Sequence, residues 1–334
     1  PAPARPLAWA QLLLGLAQWG LGDPSVGEDR LTRALAAFRA GGDRWGTATA
    51  LVALAATAQL RGALRTSADL ARESLELFTE LGDGWGRLQA CDVLGGVAEF
   101  TGDYPEAERL RRTALAVAED LGLWMQLSEA LTGLGRLALL RGDFEEADDL
   151  HERGLQIARS HSYPAGEQYA ELGLALGDRR QGRLDRAERR LLRWLEWDRR
   201  VDAYPALALI LAELGFIAEQ RGDASLALAR HREGMEMAVL SADVRAVALA
   251  AEGLAGAYAL IGRPEPAGRL LGAAQAVREA AGAPLPPGER GDVDRIAAAL
   301  RASLGEDGYP AALALGRGQD PAGLAAEFSR SVRW

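Results

Sequence analysis

The chain has 334 residues, 49% of them hydrophobic, with 38 basic and 47 acidic side chains and a formal charge of −9. That balance argues against direct nucleic-acid binding by the surface as a whole. No apolar run reaches the length of a membrane span, and no signal peptide is visible, so a cytoplasmic chain is expected.

In chain order, one pattern recurs at a step of 40 residues. Unit one carries Leu14, Gly15, Gly22 and Gly27, and unit two Leu54, Ala55, Gly62 and Ser67. Unit three has Leu94, Gly95, Gly102 and Ala107, and unit four Leu134, Gly135, Gly142 and Ala147. Units five, six and seven continue with Leu174, Ala175, Gly182 and Ala187, then Leu214, Gly215, Gly222 and Ala227, then Leu254, Ala255, Gly262 and Ala267. Self-similarity at such a fixed period is the mark of a stacked array. Each unit reads as two helices. In unit four these are 126–141 and 144–159, with apolar residues at helical spacing and no internal proline. Gly142 suits the left-handed residue that ends the first helix, Asp143 the N-cap of the second, and Glu146 the third position of a capping box. Asp103 and Glu106 repeat that arrangement, with Pro105 in the first helical turn. Arg141-Gly142-Asp143, repeated as Arg221-Gly222-Asp223, is therefore a hinge rather than an adhesion motif. The small residue beside each Leu lets a neighbouring helix approach. Trp194 breaks another small column (Ala34, Ser74, Ala114, Gly154, Gly234, Ala274), which predicts a locally wider spacing or a kink.

After the seventh unit the pattern stops at Pro284, Pro286 and Pro287. A helix is expected from about Gly288 to Leu304, with two short ones near 306–316 and 320–330, placed to cover the last apolar face. The expected architecture is all-α: a right-handed superhelical solenoid of about seven 40-residue helix-turn-helix repeats over 7–282, with capping helices over 283–334.

Chemistry is sparse. All basic residues are arginine, and without lysine there is neither a Walker A phosphate loop nor a Schiff-base nucleophile. His151 and His231 share a column two units apart, too distant to share a metal, and His161 sits in an inter-unit loop. No paired His or Cys spacing suggests a metal, and the single Cys91 reads as a small buried residue. No catalytic residues, metal or cofactor are expected, and the chain is not expected to be an enzyme.

Binding is the alternative. A stripe at i, i+3, i+7 and i+10 on each first helix varies between units while the packing columns do not. It supplies Trp19, Gln59, Glu99, Glu129, Arg136, Tyr169, Arg179 and Phe216 as candidates for an inner ligand surface. Arg136, Tyr169 and Arg179 suit a planar or anionic group, and Glu99 and Glu129 lie near enough to pair with the arginines instead. Residues 179–200 carry nine arginines against four acids. Arg186, Arg189, Arg190, Arg193 and Trp197 form a candidate outer docking patch for an acidic partner, or else a solvated face.

The small-residue columns resemble those of the tetratricopeptide repeat over roughly residues 7–282, although the period is longer than usual and Ala98, Ala138 and Ala218 stand where that family favours Tyr. Residues 269–309, "RLLGAAQAVREAAGAPLPPGERGDVDRIAAALRASLGEDGY", resemble the C-terminal end of actinobacterial antibiotic-regulatory-protein and LuxR-type ATPase transcriptional regulators. The resemblance implies a sensor and autoregulatory array. Its partners would be proteins or peptides, among them the ATPase and DNA-binding domains of the same polypeptide, and it would accept a small-molecule signal. The chain starts at Pro1 rather than Met, which fits a piece of something longer. A free-standing scaffold is the other reading, and a small-molecule-sequestering protein or enzyme a third.

Overall fold

A computed structural model describes residues 4–20 and 24–331, with side chains except those of 4, 18–20, 24, 25, 329 and 331. Among these residues there are sixteen α-helices and no strand. They form consecutive antiparallel pairs: α1 (Ala4–Gly20) with α2 (Pro24–Ala40), α3 (Arg44–Leu60) with α4 (Leu64–Glu80), and α5 (Gly84–Thr101) with α6 (Tyr104–Asp120). Then follow α7 (Trp124–Arg141) with α8 (Phe144–Ser160), α9 (Pro164–Arg180) with α10 (Leu184–Val201), α11 (Tyr204–Gln220) with α12 (Ala224–Ser241), and α13 (Val244–Leu260) with α14 (Pro264–Ala280). The fold is a tetratricopeptide-like solenoid. A 3-10 turn (Pro287–Glu289), α15 (Gly291–Gly316) and α16 (Pro321–Ser331) complete it. α15 is broken at Gly305, φ 75°, so the expected helix near 306–316 is present as its second half, while the first half begins at Gly291 rather than Gly288.

The turns repeat every 20 residues, twice as often as the sequence columns suggest. Gly62, Gly102, Gly142, Gly182, Gly222 and Gly262 all have positive φ; Gly22 lies outside the described residues. The turns between units share that geometry, through Gly42, Gly82, Gly122 and Gly282, but Ser162 (φ 54°), Asp202 (φ 52°) and Ala242 (φ 55°) adopt it without being glycine. At Gly142 the amide of Asp143 bonds back to the Ala138 carbonyl at 2.9 Å, closing the last helical turn. Asp103 and Asp223 cap the next helix through their side chains. Asp143 holds the N-cap position but makes no cap bond: its carboxylate instead accepts from Arg141 Nε, and Glu146 accepts from the same guanidinium, so the capping box expected there does not form.

Small residues set the packing. Gly135 and Gly173 flank the imidazole of buried His151, and a Cβ at Gly173 would lie 2.0 Å from its Nε2. Gly215 and Gly253 flank His231 in the same way, so both histidines are wedges between successive first helices. Arg111, in the same column, fills the space beside Gly133. Trp194 is buried among Leu191, Leu195, Leu207 and Ile210.

The array curls until its ends approach. A Cβ on Gly62 would lie 2.9 Å from Val244 Cγ2 and 3.8 Å from Ala281 Cβ, and the Arg245 guanidinium lies 4.0 Å from the centre of the Phe100 ring. The segment leaving α14 then runs across the interior. Ala283 is buried in the core of α3–α7, Pro287 reaches Gly102, and Gly288 lies against the Leu140 carbonyl. Here 283–293 is called the strap. From it, α15 returns to pack on α14, where Gly272 and Gly268 admit Leu313 and Ala312. No helix among the described residues is long and apolar enough to cross a membrane.

Candidate functional site

The first helices line the inside of the curl, so side chains from α5, α7, α9, α11 and α13 project into it. They and the strap enclose a cavity of about 510 Å³. Phe100 (α5), Arg136 (α7), Leu176, Arg179 and Arg180 (α9), Leu209, Glu213 and Phe216 (α11) and Leu249 (α13) supply one wall, and Leu285, Glu289, Asp292 and Val293 supply the other.

The strap is held electrostatically. Arg136 donates Nε to Glu99 at 2.9 Å and Nη2 to Glu289 of the strap. Arg179 donates Nε to Glu213 at 2.5 Å, while its Nη2 lies 2.9 Å from Asp292 of the strap. Burial alone would raise the Glu289 carboxyl, but Arg136, Arg180 and Arg278 outweigh it and hold it below its ordinary value. Asp292 is likewise held down by Arg179 against its burial. Arg295, at the start of α15, bonds Glu219 at 2.7 Å and adds a further tie to α11.

Six arginines line the cavity, and five have carboxylate partners there or just behind the wall. Besides Arg136, Arg179 and Arg295, Arg278 grips Glu252 with two bonds of 2.6 and 2.9 Å, and Arg245 grips Asp243 at 2.9 Å. The sixth, Arg180, has no carboxylate within ion-pair distance among the described residues; its Nη1 reaches the Leu139 carbonyl at 3.3 Å. Burial, then the charge of Arg136, pushes the Arg180 guanidinium below its usual value. Arg245 Nη1 is also buried with no hydrogen-bond partner.

The remaining candidates separate. The side chain of Trp19 lies outside the described residues. Gln59 donates to the Val93 carbonyl at 3.1 Å and fills the space beside Gly96. Glu99 is buried between Arg111 and Arg136. Glu129 accepts from the Tyr163 hydroxyl at 2.5 Å, and burial raises its carboxyl. Tyr169 does not line the cavity. Phe216 does, buried beneath Arg179, whose guanidinium lies 5.2 Å from its ring centre. The structure thus brings Arg136, Arg179 and Phe216 together and leaves Tyr169 outside. On the outer patch, Arg190 bonds Glu171 and Asp178, Arg186 reaches Asp178 at 3.4 Å, and Arg193 reaches Glu167 at 3.6 Å. Arg189 makes no ion pair among the described residues, and Trp197 is 41% exposed with Arg200 over its ring.

The sequence reading missed Arg180, Arg245, Arg278, Glu289 and Asp292. Arg180 is one position past the stripe. The strap acids lie in "PPGERGDVD", where the run of prolines points to the start of a cap rather than to a segment crossing the interior. No group of His, Cys, Asp and Glu suited to a metal is found among the described residues.

Residues 91–160 match the tetratricopeptide repeat family. Those residues run from within α5 to the end of α8, and the helix pairs outside them repeat the same 20-residue turn geometry. No curated protein matches the chain. Similar solved structures include BtubC from P. vanneervenii, 20% identical over 66% of this chain and 91% of that one, with a TM-score of 0.48. The apo form of the quorum sensor NprR from B. thuringiensis is 13% identical over 96% and 97%, with a TM-score of 0.47. The TPR domain of P58(IPK) is 13% identical over 98% and 99%, with a TM-score of 0.24. A tetratricopeptide array suits protein–protein interaction or a scaffold role.

Proposed function

We propose that the chain is the sensing and autoregulatory array of a larger bacterial transcriptional regulator working in the cytoplasm, its interior receiving a signal and its strap coupling occupancy to the rest of the protein. The observation that carries this reading is the acidic strap seated on the concave arginines, Glu289 on Arg136 and Asp292 on Arg179. A binding surface already engaged by the chain's own segment responds to any signal that shifts that segment, because a ligand moves an equilibrium only through its differential affinity for two states. The likeness of residues 269–309 to the ends of ATPase regulators supports the same reading, since the strap lies within that stretch. The outer patch, where Arg189 makes no ion pair among the described residues and Trp197 is exposed, would dock the other domains of the same polypeptide or a separate protein.

The test is the coding sequence upstream of Pro1. A phosphate-loop lysine motif and a helix-turn-helix in the same reading frame are expected. A start codon immediately upstream would favour the free-standing scaffold.

A further inference from the structure

We propose that the cavity beneath the strap binds a compact amphipathic anion, its apolar body against Leu176, Leu209, Leu249 and Leu285 and its anionic group on Arg180. The proposal deepens the reading of the interior as the signal-receiving surface and rests on it.

Three observations point the same way. The volume, about 510 Å³, lies within the range of small-molecule sites. Those four leucines, from α9, α11, α13 and the strap, face it from several sides and offer a lining suited to an apolar body. The charge pattern then selects the sign of the polar group. Every other arginine on the wall is engaged by a carboxylate, whereas Arg180 spends one of its five N–H donors on a backbone carbonyl at 3.3 Å. Glu213 and Glu289 act on it from a distance, but Arg179 and Arg136 hold those two acids. Arg180 is half-buried with no carboxylate in hydrogen-bond reach among the described residues, so an anionic ligand supplies the charge-assisted partner it lacks. Carboxylate, sulfonate and phosphate esters share the required chemistry. An acidic peptide would have to compete with Glu289 and Asp292 for arginines already taken, whereas a small anion fits behind the strap without displacing it.

The test uses the full chain and two fluorescent probes of one shape, 8-anilinonaphthalene-1-sulfonate and the uncharged N-phenyl-1-naphthylamine. Both should bind saturably. Arg180→Gln should weaken the sulfonate about tenfold or more, the scale of a charge-assisted hydrogen bond. It should leave the neutral probe unchanged and the melting temperature close to native, since Arg180 makes only one 3.3 Å bond, to a backbone carbonyl. Leu249→Trp, which fills the cavity, should abolish binding of both probes. Arg189→Gln, on the outer patch, should change neither. Sulfonate binding that is indifferent to both Arg180→Gln and Leu249→Trp would overturn the proposal, as would equal loss of both probes in Arg180→Gln with a lowered melting temperature. If the sulfonate does not bind the native chain at all, the anion site is refuted, while the upstream sequence still decides the regulator reading.

Discussion

Gly142, in the turn within a unit, and Ala242, in a turn between units, share one backbone geometry with different residues. Both have positive φ, 55° and 85°, where a Cβ clashes with the following carbonyl at a cost of roughly 1–2 kcal/mol. Nothing lies within 4 Å of a Cβ added at Gly142, so backbone strain alone decides the outcome there. Gly142→Val is expected to cost at least about 1 kcal/mol, and Ala242→Gly to gain up to about 1 kcal/mol, both read from denaturant midpoints. His151 gives a second residue-scale prediction. Burial, partly offset by its bond to the Ala147 carbonyl, lowers its pKa from 6.5 to about 4. The unfolded chain therefore takes up a proton between those values that the folded chain refuses, so the stabilising contribution is complete above pH 6.5 and is lost as pH falls to about 4. The full window is worth on the order of 3 kcal/mol. Asp198, raised to about 6 by burial, acts in the opposite sense: its contribution is complete below 3.8 and lost as pH rises through 6. His151→Asn should accordingly lose less melting temperature than the native chain between pH 7 and pH 4.5.

At the scale of elements, the strap is the feature with the most consequence. Gly288 passes so close to α7 that a Cβ would lie 2.1 Å from the Leu140 carbonyl oxygen, a backbone atom that cannot swing away. Gly291, three residues on, has nothing within 4 Å. Gly288→Ala is expected to destabilise the strap by about 1–3 kcal/mol through overpacking, and Gly291→Ala to be nearly neutral, with the difference measured in parallel unfolding curves. The helices themselves were legible in the sequence because Leu134, Gly135 and Gly142 recur at fixed spacing, and periodic packing is written into periodic residues. The strap was not legible. It occurs once, has no column to align with, and its position depends on the array curling until α14 meets α3. The inner stripe was partly legible for the same reason: Arg136, Arg179 and Phe216 point inward from regular helices, but their partners Glu289 and Asp292 come from the one irregular segment. The columns also concealed the shorter turn repeat, since Ser162, Asp202 and Ala242 adopt a glycine-like backbone without its sequence signature.

At the scale of the molecule, the curl makes an interior and the strap forms one wall of a half-open cavity there. Gly62 against Val244 and Ala281, and Arg245 over Phe100, bring units two and three to unit seven. The strap then joins α14 to α5, α7 and α9 across the middle, and Arg295 just beyond it reaches α11. An array without such closure would breathe along its length, since each unit of a solenoid contacts only its neighbours. Here the interior couples distant units. Amide hydrogen exchange over residues 285–293, followed by mass spectrometry on the full chain, tests this most directly. These amides are expected to exchange well below the rate of a free peptide, and Arg136→Ala with Arg179→Ala to release them while α14 stays protected. Exchange of the strap at the free-peptide rate in the native chain would contradict it.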